Sequence, residues 1–171
     1  MALDDSSPNI KASNEEKLVL GINPAEIAQI HPWIERLSAR YAIPDAVQFA
    51  AGVCLEEVLS NVLLHGYKDK PGGTVLVLFN TLREGCFVFA VEDEAPHFNP
   101  LNLPEIPPLN PDDEEMRVGG HGLRFLRTFA DELSYEKLLP VGNRFRMVFD
   151  TINGINSGKE KSSEGVPPEE K

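Results

Sequence analysis

Basic charge is scarce in this chain: 16 lysines and arginines stand against 27 aspartates and glutamates, a formal net charge of −11. A surface that binds nucleic-acid phosphates needs the opposite balance, so the composition argues against direct nucleic-acid binding and leaves room for a basic protein partner. Cysteine is scarcer still, with only Cys54 and Cys86. Both fall in apolar stretches, where a thiol acts as a small buried hydrophobe rather than as half of a disulfide or a metal ligand. No uninterrupted run of 18 apolar residues occurs, and the N-terminal MALDDSSPNIKASNEEK is polar and acidic. Neither a membrane span nor a secretory leader is therefore expected, and the predicted location is the cytoplasm. No internal repeat is present.

What remains suits one ordinary domain: 171 residues, 42% of them hydrophobic. The predicted folded part is 17–150, between polar tails at 1–16 and 151–171 that have too few apolar residues to pack. Lys17 to Ile22 reads as an edge strand. Asn23 as N-cap and Pro24 at the first helical position open a helix whose Ile27, Ile30, Ile34 and Leu37 recur at threes and fours to about Tyr41, with a kink allowed at His31-Pro32. A second, longer helix begins at Ile43-Pro44-Asp45 and stops in GYKDKPGG. Thr74 to Leu82 and Cys86 to Val91 are β-rich runs across Arg83-Glu84-Gly85, an antiparallel hairpin. A further helix is expected from VGGHGL to about Asp131, then a last hairpin of 133–138 and 143–150. Helices grouped against a mixed, mainly antiparallel sheet and covering one of its faces make a two-layer α+β sandwich.

Two segments fall outside this plain pattern. Residues 95–118 hold six of the fourteen prolines, a net charge of −4 with Asp112 to Glu115 consecutive, and no periodicity. A loop of that length in a compact domain is typically a lid, a binding loop or disorder. The other segment is CLEEVLSNVLLHGY, 54–67, where Glu57, Asn61 and His65 stand four apart on an otherwise apolar helix. At 3.6 residues per turn they form one stripe. A carboxylate and a carboxamide on a largely buried helix need polar company, so the stripe faces a cavity, a ligand or a partner, or else lies on a solvated edge.

Read together, the stripe, the strand end VEDEAPHFNP (91–100) and the glycine cluster VGGHGL (118–123) resemble the N, G1 and G2 boxes of the GHKL ATPases. They come in that order, with a lid-like loop between the last two. The likeness spans roughly 17–150 and is strongest to the anti-sigma factor serine kinases of the RsbW and SpoIIAB type. The resemblance implies ATP and Mg²⁺ as cofactors. It makes Glu57 the general base, Asn61 an oxygen ligand to Mg²⁺, and Asp93 the acceptor for the adenine amino group. Gly119, Gly120 and Gly122, with His121 and Leu123, would place backbone N–H groups at a helix start against the triphosphate. His65, Ala95 and Phe98 would complete the nucleotide pocket. It also implies a sigma factor to sequester, an anti-anti-sigma (STAS-type) protein to phosphorylate on serine or threonine, and a homodimer.

The chemistry agrees with these roles. Mg²⁺ takes hard oxygen ligands, keeps waters and bridges phosphates, so one carboxamide oxygen is enough protein contact. A carboxylate one helical turn away can take the proton of an attacking hydroxyl. Glycines at a helix start let N–H groups and the helix dipole meet an anion. The chain departs from the family pattern twice. Ala95 stands where the D-x-G motif has glycine, adding a methyl and disfavouring positive φ; the expectation is an altered adenine pocket or lower affinity. His121 stands where the kinases commonly have arginine, which weakens the hold on phosphate. These departures keep a second reading open: an adenine-nucleotide-gated switch that holds a partner without transferring phosphate.

Overall fold

The computed structural model describes residues 15–67, 72–102 and 121–154. The expected lid beyond residue 102, Gly119, Gly120 and most of both expected tails lie outside those residues. The strands are β1 (Glu16–Gly21), β2 (Thr74–Arg83), β3 (Cys86–Asp93), β4 (Glu132–Lys137) and β5 (Asn143–Asp150). The helices are α1 (Pro24–Ile27), α2 (Ile30–Tyr41), α3 (Asp45–Asn61) and α4 (His121–Phe129). The five strands form one sheet in the order β1-β2-β3-β5-β4, and all four pairings are antiparallel, so among the described residues the mixed sheet expected from the sequence contains no parallel pair.

Alternation decides which face meets the helices. In register, Leu18, Val77, Val91, Phe145 and Tyr135 form one cross-strand row. A neighbouring row holds Phe79, Phe89, Met147 and Leu133. These side chains pack with Trp33, Ile34 and Leu37 of α2 and Val47, Leu55 and Leu59 of α3 in a single core. Phe89 is its centre, in ring contact with Trp33, Phe79 and Phe149 at 6.2, 5.0 and 6.0 Å. The opposite face carries a small cluster of Cys86, Val88 and Val148. Around it Arg144 pairs with Glu92 and Glu136, and Arg146 with Glu132.

The first predicted helix is two. Asn23 caps α1 as expected, its Oδ1 accepting from Glu26 N–H at 3.0 Å. Pro32 has no N–H to return to Ala28, so the chain breaks at Ala28-Gln29 and restarts at Ile30, leaving Pro32 in the first turn of α2, where that N–H is unpaired in any helix. At the other end of α2, Ala42 turns into α3 at φ 52°. Ala42→Gly removes the steric cost of left-handed backbone and is expected to raise unfolding free energy by about 0.5–1 kcal/mol, read from the urea midpoint.

The long helix from 45 to 66 is apolar enough by length and composition to cross a membrane, but here it is the core helix, packed between α2, α4 and the sheet. Phe49 of this helix is 64% exposed and meets Phe129 of α4 edge-on at 6.0 Å. Cys54 and Cys86 are buried and unpaired, and burial pushes the Cys54 thiol up to about 12, so it stays protonated. Thr151 to Gly154 continue past β5 as a turn, with Thr151 N–H and Oγ1 both donating to Gly85 O at 2.8 and 2.9 Å.

Candidate functional site

α3 does not run straight to Gly66. From Val62 the backbone widens into a π-helical turn, Val62–Gly66, closed by Tyr67 N–H donating to Val62 O at 3.1 Å, five residues back. The extra residue in that turn takes His65 out of line with the residues above it. The stripe is therefore a pair. Asn61 Nδ2 donates to Glu57 Oε1 at 2.8 Å, while His65 is exposed and makes no hydrogen bond among the described residues. Because Asn61 spends its amide nitrogen on Glu57, its carbonyl oxygen is left as an acceptor, and Glu57 keeps its second carboxylate oxygen.

The π-turn also brings the end of this helix onto the strand end after β3. A methyl on Gly66 would sit 2.9 Å from the Ala95 Cβ, so the two residues are packed together and Gly66 has no room for a side chain. Next to them, Tyr67 OH accepts from Glu94 N–H at 2.8 Å. Ala95 is buried in ordinary backbone: among the described residues Ala42 is the one non-glycine at positive φ. The glycine of D-x-G is thus not needed here for conformation, and the Ala95 methyl fills space against Gly66.

Gly122 closes the third side. A methyl placed there would lie 1.6 Å from Glu57 Oε1 and 2.1 Å from its Cδ, so the first turn of α4 sits directly on the Glu57 carboxylate. A negative group at a helix start is favoured by the unpaired N–H groups there. Leu123 is half-buried and packs against the core, which anchors the same turn. The backbone of His121 begins α4.

Asp93 ends β3 on the core face, two residues beyond Val91, and is 7% exposed. Its cross-strand neighbour is Asn143, equally buried. Asp93 Oδ1 accepts from Asn143 Nδ2 and from Ala95 N–H, both at 2.8 Å. Burial raises the Asp93 carboxyl above the usual range, and those two hydrogen bonds pull it back. Oδ2 makes no hydrogen bond among the described residues. The β4–β5 turn presses on the same place, since a side chain on Gly142, at φ 115°, would lie 2.4 Å from Asp93 O. Phe98, 52% exposed, is held by its backbone, whose N–H donates to Asn143 Oδ1 at 3.0 Å. Tyr67, Tyr135 and Asn143 are absent from the sequence reading of the site. Parity along β5 puts Asn143 on the face of Phe145 and Met147, a signal that marks it as inward-facing and polar.

The three segments picked out in the sequence thus converge, through Glu57 on Gly122 and through Gly66 and Tyr67 on Ala95 and Glu94. An antiparallel sheet covered on one face by helices, with a carboxylate–carboxamide pair on the core helix, a buried aspartate and a helix whose first turn carries Gly122 meeting at one end, defines an ATPase domain of the histidine kinase type. The chain belongs to the histidine kinase-like ATPase domain family, whose sequence model matches residues 21–149. It is 28% identical over 127 residues to the serine/threonine-protein kinase BtrW of Bordetella bronchiseptica, covering 74% of this chain and 87% of BtrW. Its fold matches the RsbU and RsbW domains of Rv1364c from Mycobacterium tuberculosis with a TM-score of 0.56 at 12% identity. That match covers 80% of this chain but only 32% of the longer one.

Membership implies ATP binding, and the donor set fits. Asp93 offers a buried acceptor with one oxygen to spare, suited to an amino group, and Asn61 offers one neutral hard oxygen. No group of three or more His, Cys, Asp or Glu able to hold a metal occurs among the described residues. That suits Mg²⁺ held mainly by phosphates and water rather than by a protein cage. Asn61→Ala is expected to weaken Mg·ATP binding at least several-fold while ATP binding in EDTA changes little and circular dichroism is retained. Equal loss of binding with and without Mg²⁺ would remove Asn61 from the metal.

Proposed function

We propose that the chain is an ATP- and Mg²⁺-dependent serine/threonine protein kinase of the anti-sigma type, working in the cytoplasm. In this reading it phosphorylates a small STAS-type anti-anti-sigma protein, sequesters a sigma factor and forms a homodimer. The observation that carries it is the Glu57–Asn61 pair beneath Gly122, a carboxylate and a carboxamide side by side at the start of a helix. BtrW, a serine/threonine kinase by name and similar along most of its length, supports the same reading.

The residues divide the work. Asp93 would hold the adenine amino group, and the N–H groups in the first turn of α4 would meet the phosphates. Asn61 would hold Mg²⁺, which would supply charge neutralisation to the triphosphate. Asn61 also fixes one Glu57 oxygen, so the other can take the proton of the incoming serine or threonine hydroxyl as its oxygen bonds to phosphorus and ADP leaves. Positioning and charge supply most of the rate in phosphoryl transfer, so a pinned carboxylate matters more than a strongly basic one.

The test is transfer of label from γ-labelled ATP to a STAS-type protein encoded beside this chain, with and without Mg²⁺. Acid-stable label on a serine or threonine, abolished by EDTA, is the expected result. Nucleotide binding without any transfer would establish the gated switch instead.

A further inference from the structure

Among the described residues, Asn143 is the most heavily bonded side chain that the mechanism above leaves unused. Its Nδ2 donates to Asp93 Oδ1 at 2.8 Å and lies 3.3 and 3.2 Å from the carbonyl oxygens of Ala95 and Pro96. Its Oδ1 accepts from Phe98 N–H at 3.0 Å and from Tyr135 OH at 2.7 Å. Both ends of the carboxamide are thus committed, and a rotated amide would set its oxygen against the Asp93 carboxylate. The Phe98 N–H forbids that rotation, because a backbone N–H can only donate and only Oδ1 can accept; the Tyr135 hydroxyl then donates to the same oxygen. Asp93 in turn has Oδ1 occupied twice, and one oxygen left for a ligand.

We propose that Asn143, oriented by Tyr135, is the positioning residue that presents Asp93 Oδ2 as a fixed acceptor and so sets a preference for 6-aminopurine over 6-oxopurine nucleotides. The proposal rests on the ATP-binding reading of the site. An acceptor with no proton matches a 6-amino donor and opposes a 6-oxo acceptor, and a site built around a hydrogen bond rejects the analogue that lacks it strongly. Discrimination of that kind requires the carboxylate to be held both in place and ionised. Asn143 does the first by its cross-strand register and the second by donating to the charged form. Burial works against ionisation here, so the amide is what keeps the acceptor an acceptor.

The experiment compares equilibrium binding of ATP and ITP, which differ at the purine 6-position, to the full chain. Wild type is expected to favour ATP at least tenfold. Asn143→Ala should bring the ratio close to one, mainly through weaker ATP binding. Asn143→Asp places a second carboxylate against Asp93, so the pair holds a proton near neutrality. Its ATP affinity should climb more steeply than that of wild type as pH rises from about 6 to 8. If either Asn143 variant fails to fold, Tyr135→Phe decides alone: it deletes one hydroxyl, leaves the Phe98 N–H in place, and should lower the ATP-to-ITP ratio about three-fold or more. A folded Asn143→Ala or Tyr135→Phe with the wild-type ratio overturns the role of Asn143 while leaving the ATP site standing. Wild type that binds neither nucleotide overturns the site and the proposal together.

Discussion

Glu57→Gln is expected to cut phosphoryl transfer by about two to four orders of magnitude, the usual range for a lost general base, with ATP and partner binding kept. Glutamine preserves the shape of the side chain and can still accept from Asn61 Nδ2, so the pair at 2.8 Å survives and the fold is not disturbed. What disappears is the ability to take a proton. Single-turnover transfer, measured beside nucleotide affinity, separates the two effects: a fall in both would assign Glu57 to binding, and no fall in either would move the base elsewhere. A wild type without transfer, matched by an unchanged variant, would identify the nucleotide-gated switch.

Gly122→Ala should do comparable damage from outside the reacting groups. The added methyl would lie 1.6 Å from Glu57 Oε1, and the Glu57 side chain is what can yield, since its end is flexible and the α4 backbone is tied down by buried Leu126. The carboxylate is then displaced from Asn61. A shift of about 1 Å in a positioned group costs on the order of a hundredfold in rate, so transfer should fall about a hundredfold or more while the melting temperature moves only a few degrees. Because both changes act through one carboxylate, adding Gly122→Ala to Glu57→Gln should lower the rate little further. Fully additive losses would mean that Gly122 acts through the phosphates alone.

How far the sequence reveals this site depends on the range of the interaction. Glu57 and Asn61 are one helical turn apart, so spacing alone finds the pair. Strand β5 is readable to the residue because Asn143, Phe145, Met147 and Phe149 alternate cleanly. His65 is misplaced by the same spacing argument, since VLLHG carries no local mark of a π-turn; the turn is fixed by Gly66 meeting Ala95 and Tyr67 meeting Glu94, contacts across about 30 residues. The break before α2 is visible in Pro32, but its position at Ala28-Gln29 depends on which N–H the proline cannot supply. Asn143 is the clearest omission. Its partner is on β3, two strands earlier in the chain, and no local pattern says that β5 inserts between β3 and β4.

That insertion has a consequence for how the molecule assembles. β2 and β3 can zip together through the hairpin between them, but the β1–β2 and β3–β5 seams each close a loop of about 50 residues, an entropic cost met only by long-range contacts. The adenine end of the proposed site straddles the β3–β5 seam, with Asp93 on one bank and Asn143 on the other. A partly folded chain that has not joined the two therefore has no purine site, and nucleotide bound there would fasten that join of the sheet. By linkage, ATP at a hundred times its dissociation constant would hold the folded chain together by about 2.7 kcal/mol more than it has alone. ATP bound across the seam would in this way add to what keeps the chain folded.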